Sequence, residues 1–246
     1  MPTQGIYTIV TNLPIARDVY ELALTGDTTA LSRPGQFVNI QLNGLYLRRP
    51  ISVCRREQGR MTLVYKVVGA GTRQMAGMRP GETLDLLVGL GNGFDVAPAR
   101  GKSIALVGGG AGLPPLVGLM ETLAGERVTC ALGFASAEDV FYETLLRSLG
   151  ADVAVCTMDG TAGMKGLVTD ALKTMAYDYY FACGPKAMLK AVHGLGGDGQ
   201  LSFEERMGCG FGACMGCTCQ TLAGNKRVCL EGPVFFSGEV SCECFR

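Results

Sequence analysis

Tryptophan is absent from the 246 residues, and the only histidine is His193. A single histidine excludes catalysis by a histidine pair and metal binding by a histidine cluster. There is no basic excess: Lys+Arg and Asp+Glu are both 22, so the net charge is zero. A nucleic-acid binder needs a basic face to neutralise phosphates, so the sequence argues against such a partner. The N-terminal residues show no basic segment followed by an apolar core, and a cytoplasmic protein is expected. The one long uncharged run, Ile104 to Met120, is interrupted by Gly108-Gly109-Gly110, Gly112 and Pro114-Pro115. It reads as strand, glycine turn and helix, so no membrane span is expected. With 48% apolar and 18% charged residues, the chain is too hydrophobic for disorder. Its length suits one large domain or two ordinary ones.

What is abundant is glycine and, locally, cysteine. The 36 glycines are about twice the roughly 7% average. Cys54, Cys130, Cys156 and Cys183 are scattered and read as small apolar core residues. Seven more fall in the last 38 residues: Cys209, Cys214, Cys217, Cys219, Cys229, Cys242 and Cys244. In a chain without an export signal, such a cluster points to metal rather than disulfides.

The rhythm of the chain divides it. Gly5–Asn12, Val19–Ala23, Gln36–Leu42, Ile51–Arg56 and Arg60–Val68 read as short strands separated by turns, which suggests a small antiparallel β-barrel over 1–100. From 101 to 199 apolar strands alternate with helices: Ser103–Val107, Val128–Phe134, Asp152–Met158 and Tyr179–Cys183 as strands, with Leu116–Leu123, Glu138–Leu149, Leu167–Met175 and Pro185–His193 as helices. That pattern implies a doubly wound parallel α/β domain. Gly194–Gly199 reads as a linker. Residues 200–246 are too few for a core of their own and need the cysteine cluster to fold. The expected fold class is therefore multi-domain, β plus α/β.

Three constellations carry chemistry. Cys209-x4-Cys214-x2-Cys217, with Cys229 after eleven intervening residues, matches the plant-type spacing of a [2Fe–2S] cluster, although the gap to the fourth cysteine is short. Gly208, Gly210, Gly212 and Gly216 let the loop wrap an anionic cluster. Structural zinc is the competitor; Cys219 could replace Cys229; Cys242-Glu243-Cys244 reads as a solvated tail. Second, Arg48-Arg49-Pro50-Ile51-Ser52 opens a barrel strand, where an arginine can hold a pyrophosphate or simply be a solvated charge. Gly69-Ala70-Gly71-Thr72, after Lys66-Val67-Val68, offers close backbone approach and a hydroxyl. Third, Gly108-Gly109-Gly110-Ala111-Gly112 lies between a strand and a helix, as a dinucleotide phosphate requires or as any tight turn does. Cys183-Gly184-Pro185 ends a later strand at the same sheet edge.

Arg-Pro-Ile-Ser in a barrel, a glycine turn in an α/β domain and then Cys-Gly-Pro form an order that resembles the ferredoxin–NADP reductase superfamily. The C-terminal stretches Met207–Cys217 and Val228–Phe235, with Pro34-Gly35-Gln36-Phe37 at the other end, narrow the resemblance to the electron-transfer subunits of type B dihydroorotate dehydrogenase. The resemblance implies FAD on Arg49, Pro50, Ile51, Ser52, Lys66, Val67, Val68, Gly71 and Thr72. It implies NAD(H) near Gly109, Gly110, Ala111, Gly112, Cys183 and Gly184, and a [2Fe–2S] cluster on Cys209, Cys214, Cys217 and Cys229. It also implies an FMN-containing dihydroorotate dehydrogenase catalytic subunit as partner, in a heterotetramer of two of each. The electron path would run from dihydroorotate through FMN, the cluster and FAD to NAD⁺, a step of pyrimidine biosynthesis. A similar layout belongs to the small flavin subunit of NADH-dependent ferredoxin:NADP⁺ oxidoreductase or sulfide dehydrogenase, in which an aspartate replaces one cluster cysteine. A redox sensor that changes partners on cluster oxidation is the reading from a different class.

Overall fold

A computed structural model describes residues 2–245. Six strands close an antiparallel barrel: β1 (Thr3–Ala16), β2 (Val19–Thr25), β3 (Phe37–Gln41), β4 (Arg49–Glu57), β5 (Arg60–Lys66) and β6 (Thr83–Leu90), in the order β1-β2-β5-β4-β3-β6. The period of two sets which side chains fill it. On β6, Leu84, Leu86, Val88 and Leu90 are buried while the residues between them are not. This strand is absent from the sequence reading because Asp85 and Gly89 interrupt its apolar pattern. Both are explained by tertiary contacts: Asp85 accepts from Arg48 at 2.9 Å, and Gly89, at φ +79°, has no room for a Cβ against Ala30. Strand β1 runs further than its composition suggests, since it bends at two irregularities and pairs with both β2 and β6. A short helix, α1 (Ala70–Ala76), follows β5 where the sequence reads only a glycine turn; its Met75 is buried in the barrel core.

The second layer system begins with β7 (Ser103–Gly109), α2 (Pro114–Thr122), β8 (Arg127–Phe134), α3 (Glu143–Ser148), β9 (Asp152–Thr157), β10 (Met164–Lys165), α4 (Val168–Leu172), β11 (Tyr179–Cys183) and α5 (Lys186–His193). Alternation along the central strands feeds two cores. Ile104, Leu106, Tyr179 and Phe181 face one side with Leu116 and Leu119 of α2. Ala105, Val107, Tyr180 and Ala182 face the other with Leu172 and Leu189. Each fully buried leucine contributes about 1.5–3 kcal/mol. Cys54, Val19 and Val64 of the barrel join the first core, so the barrel docks on the α2 side. All four scattered cysteines are buried, as the sequence suggests.

Two expectations are corrected. The helix read over Glu138–Leu149 is broken: a 3₁₀ turn covers Ala137–Asp139, and α3 starts only at Glu143. Between them Tyr142 adopts φ +63° and gives its hydroxyl to Glu21 of β2, so a contact to the barrel overrides helix propensity. The sheet also continues beyond residue 199. Strand β12 (Gly199–Ser202) pairs in parallel with β11, and the strand at Val234–Phe236 adds antiparallel to β12. With β13 (Thr218–Thr221) and β14 (Gly224–Arg227) forming a separate hairpin, that last strand is β15. The large sheet therefore has seven strands, ordered β10-β9-β8-β7-β11-β12-β15. The C-terminal segment shares its core with the sheet and with Phe37 and Leu90 of the barrel.

Candidate functional site

Successive strands run outward from β7 through β8 to β9, and the chain then returns to place β11 on the other side of β7. At such a reversal the loops leave a crevice outside the carboxyl ends of the strands, where ligands bind in α/β sheets. The Gly109–Gly112 turn ends β7 and Cys183-Gly184 ends β11, so the topology brings these two motifs together. They touch: a Cβ on Gly112 would stand closer than 3.0 Å to the backbone of Cys183 and Gly184. Glycine here is a requirement of close approach.

Two clefts meet at this edge. One, of about 200 Å³, lies between barrel and sheet and is lined by Pro50 and Ser52 together with Gly109, Ala111, Gly112, Cys183 and Gly184. The register Phe37↔Ser52 and Asn39↔Pro50 sets that barrel wall. The second, of about 500 Å³, runs from Lys66 past Gly109, Gly110 and Ala111 to the loops after β8 and β9. Lys66 there is 3.5 Å from Asp139, which also holds Arg17 at 2.6 Å. Burial pushes the Cys183 thiol up to about 12, against a weaker opposing hydrogen bond to Ser202. It is a neutral thiol at physiological pH.

Arg49, Val68, Gly71 and Thr72 line neither cleft; they lie along the barrel wall. The two adjacent arginines behave differently. Arg48 is committed to Asp85 and to two backbone carbonyls. Among the described residues, Arg49 reaches only the Leu47 carbonyl, and it lies across Gly71. Thr72 is not a free hydroxyl: it accepts from the N–H groups of Val68 and Gly69 and so fixes the turn into α1. Val67 is half-buried, its N–H on the Asp18 carbonyl. Ile51 packs against the barrel core.

The cysteine loop forms two pairs. Cys209 Sγ accepts from the N–H groups of Ala213 and Cys214 at 3.3 and 3.4 Å, and Cys214 Sγ from Cys209 N–H at 3.4 Å. Cys217 Sγ accepts from Cys229 N–H at 3.4 Å, and the two thiols also meet. Burial works against a Cys209 thiolate, but the N–H groups of Phe211, Cys214 and Ala213 outweigh it and bring the pKa to about 6. Cys229 moves to about 12, by burial first and then by Cys217 beside it. Among the described residues no three His, Cys, Asp or Glu side chains stand close enough to share one metal ion. Two separate pairs ringed by N–H donors suit a two-iron cluster better than one zinc. Cys219 turns to Cys244 instead, and burial followed by that neighbour pushes its thiol up to about 12. Cys244 is itself buried, its thiol on the Gln220 carbonyl at 3.1 Å, so the tail reading holds only for the exposed Cys242.

Sequence reasoning missed three residues that the fold recruits. Glu204 lines the smaller cleft, where surrounding protein first, and then Glu205, raise its pKa although the side chain still reaches solvent. Arg227 clamps the cluster loop, holding Glu231 at 3.0 Å and the Gly212 carbonyl at 2.6 Å. Asn39 touches Cys209 from the barrel. None stands in a motif, so no signal in the sequence could have marked them.

Known proteins share this architecture. Residues 204–241 match the family described as the iron-sulfur cluster binding domain of dihydroorotate dehydrogenase B. A dihydroorotate dehydrogenase B (NAD(+)) electron transfer subunit from Geobacillus sp. (strain WCH70) is 44% identical, over 98% of this chain and 99% of that one. The corresponding protein of Shouchella clausii (strain KSM-K16) is 43% identical over 96% and 98%. Among solved structures, the NADH-dependent reduced ferredoxin-NADP oxidoreductase aligns with a TM-score of 0.85 at 29% identity, over 96% of this chain and 90% of that one. Near-complete coverage at this identity shows the family, and the chain belongs to the dihydroorotate dehydrogenase B (NAD(+)) electron transfer subunits.

Proposed function

We propose that this chain carries electrons between a dihydroorotate-oxidising partner subunit and NAD⁺. FAD would lie on Arg49–Ser52, Lys66–Val68 and Gly71-Thr72, with NAD(H) at Gly109–Gly112 and Cys183-Gly184. A [2Fe–2S] cluster would sit on Cys209, Cys214, Cys217 and Cys229. The observation that carries the reading is one juxtaposition. A cleft between barrel and sheet, lined from both sides, stands beside a loop of two cysteine pairs packed on β3. When bound, FAD exchanges a hydride with nicotinamide and single electrons with an iron–sulfur centre.

The residues of the chain do the rest. The glycine turn at the end of β7 presents backbone N–H groups to an anionic phosphate. The neutral Cys183, with Ser52 and Pro50 opposite, forms walls that keep water from a hydride path. The N–H groups around Cys209 and Cys214 hold thiolate charge without added cations. A division of labour follows, with 1–100 for the flavin and 101–199 for the nicotinamide; within 200–246, β12 and β15 complete the nicotinamide sheet and the remainder serves the cluster.

A subunit named for electron transfer works with one that carries the substrate site, and we assign that role to an FMN-containing subunit in a heterotetramer of two of each. Half-exposed Phe211, Met215 and Leu230 around the cysteine pairs support a partner surface there. Four cysteines favour this reading over the ferredoxin:NADP⁺ oxidoreductase layout. No helix among the described residues is long and apolar enough to cross a membrane.

The test is reconstitution. The isolated chain should oxidise NADH with an artificial acceptor but leave dihydroorotate untouched. Adding an FMN-containing dihydroorotate dehydrogenase subunit should create NAD⁺-linked turnover, and Cys214→Ser should abolish that turnover while NADH oxidation persists. Dihydroorotate turnover by the lone chain would overturn the proposal.

A further inference from the structure

Asn39 sits on β3, fully buried, in register with Pro50 of the flavin-side strand. Its amide donates to the carbonyl oxygen of Cys209 at 3.3 Å, across 170 residues of sequence. Gly210 next to that cysteine has φ +77°, and a Cβ there would overlap the same amide. The close approach of loop and strand is thus built from both sides. The backbone carbonyl of Asn39 in turn accepts from Arg48 at 3.3 Å, and Arg48 is fixed by Asp85. The strand that carries Asn39 cannot shift freely.

The second polar atom of the side chain, Oδ1, is buried without a hydrogen-bond partner among the described residues. A buried amide that keeps one bond and forgoes another is unfavourable to stability compared with an apolar side chain of the same shape. Its presence therefore needs a reason other than stability, and the one contact it makes supplies it.

We propose that Asn39 is a positioning residue that fixes the Cys209–Cys214 half of the cysteine loop against the flavin wall of the barrel. This rests on the cluster assignment above. The Asn39 amide anchors the backbone of the first cysteine, so the thiolates of that pair keep one distance and one set of N–H donors relative to Pro50 and Ser52. An uncharged donor at this point also adds no net charge beside the cluster. A carboxylate in its place would repel added electrons.

The experiment uses the complete, cofactor-loaded chain and the variants Asn39→Leu and Asn39→Asp. Flavin, iron and acid-labile sulfide are measured first, followed by thermal melting, the electron paramagnetic resonance spectrum of the reduced protein and its redox titration. Wild type lacking iron and sulfide would overturn the cluster assignment and this inference with it. With the cluster present, Asn39→Leu should melt at or above the wild-type temperature yet show altered g-values. Asn39→Asp, measured at a pH high enough to ionise the buried carboxyl, should shift the midpoint potential to more negative values than in the wild type and in Asn39→Leu. Should the leucine variant fail to accumulate, the aspartate variant carries the test alone. A spectrum and potential identical to wild type in the folded variants would reduce Asn39 to packing and overturn the inference.

Discussion

Gly71→Ala should weaken FAD binding by displacing the side chain of Arg49. Gly71 lies in α1 with an ordinary helical backbone, where alanine is favoured by about 1 kcal/mol. Its added methyl, however, would stand closer than 3.0 Å to Nε of Arg49, in the space that the guanidinium stem now fills. Arg48 cannot stand in, because its guanidinium is bound to Asp85 and to two carbonyls. On the proposed assignment of Arg49 to the flavin pyrophosphate, displacing it removes a charge-assisted hydrogen bond. Such a bond contributes about 1.5–3 kcal/mol, or roughly a tenfold to hundredfold loss of affinity. Arg49→Ala should cost the same, and the double variant little more, since both act through one guanidinium. Flavin release followed by fluorescence, with melting of the flavin-free chain as control, measures each effect. The reasoning fails if Gly71→Ala retains wild-type affinity, or if the two losses simply add.

Other outcomes follow from the geometry. Cys219→Ser should keep two irons and two sulfides, because that thiol faces Cys244, whereas Cys229→Ser should lose them; iron and sulfide assays decide, and the reverse result would exchange the fourth ligand. Gly110→Val places a branched residue at φ +49°, so the turn should deform and the KM for NADH rise while FAD stays bound; loss of FAD instead would assign the turn to the other nucleotide. Arg227 holds the Glu231 carboxyl at a pKa of about 2, below its ordinary 4.5. A depressed folded value stabilises the protein above about pH 4.5, and that contribution disappears as pH falls through about 2. Both side chains are partly exposed, so Glu231→Gln should cost only about 1 kcal/mol at pH 6. Urea melts of the two proteins should converge toward pH 2, and a constant difference would assign the effect to something other than charge.

The sequence by itself determined the elements whose signal is local. Apolar runs such as Tyr179–Cys183, glycine punctuation at Gly108–Gly112 and the spacing of Cys209, Cys214 and Cys217 need no tertiary context to be read, because strand burial, turn conformation and ligand reach each act over a few residues. The fourth cysteine was legible only as a choice between Cys219 and Cys229, since spacing does not say which way a hairpin strand turns its side chains. Packing supports Cys229, because it sets that thiol beside Cys217 and Cys219 beside Cys244. The same holds for β6, whose Asp85 and Gly89 break an apolar pattern and make sense only beside Arg48 and Ala30. It holds for Tyr142, drawn out of a helix by Glu21 of the barrel. Strand β12 begins at the last residue of the linker read over Gly194–Gly199 and joins the sheet because the edge of β11 was there to accept it. Long-range hydrogen bonds and close approaches join residues tens to hundreds of positions apart, so Asn39 beside Cys209 could only come from the folded chain.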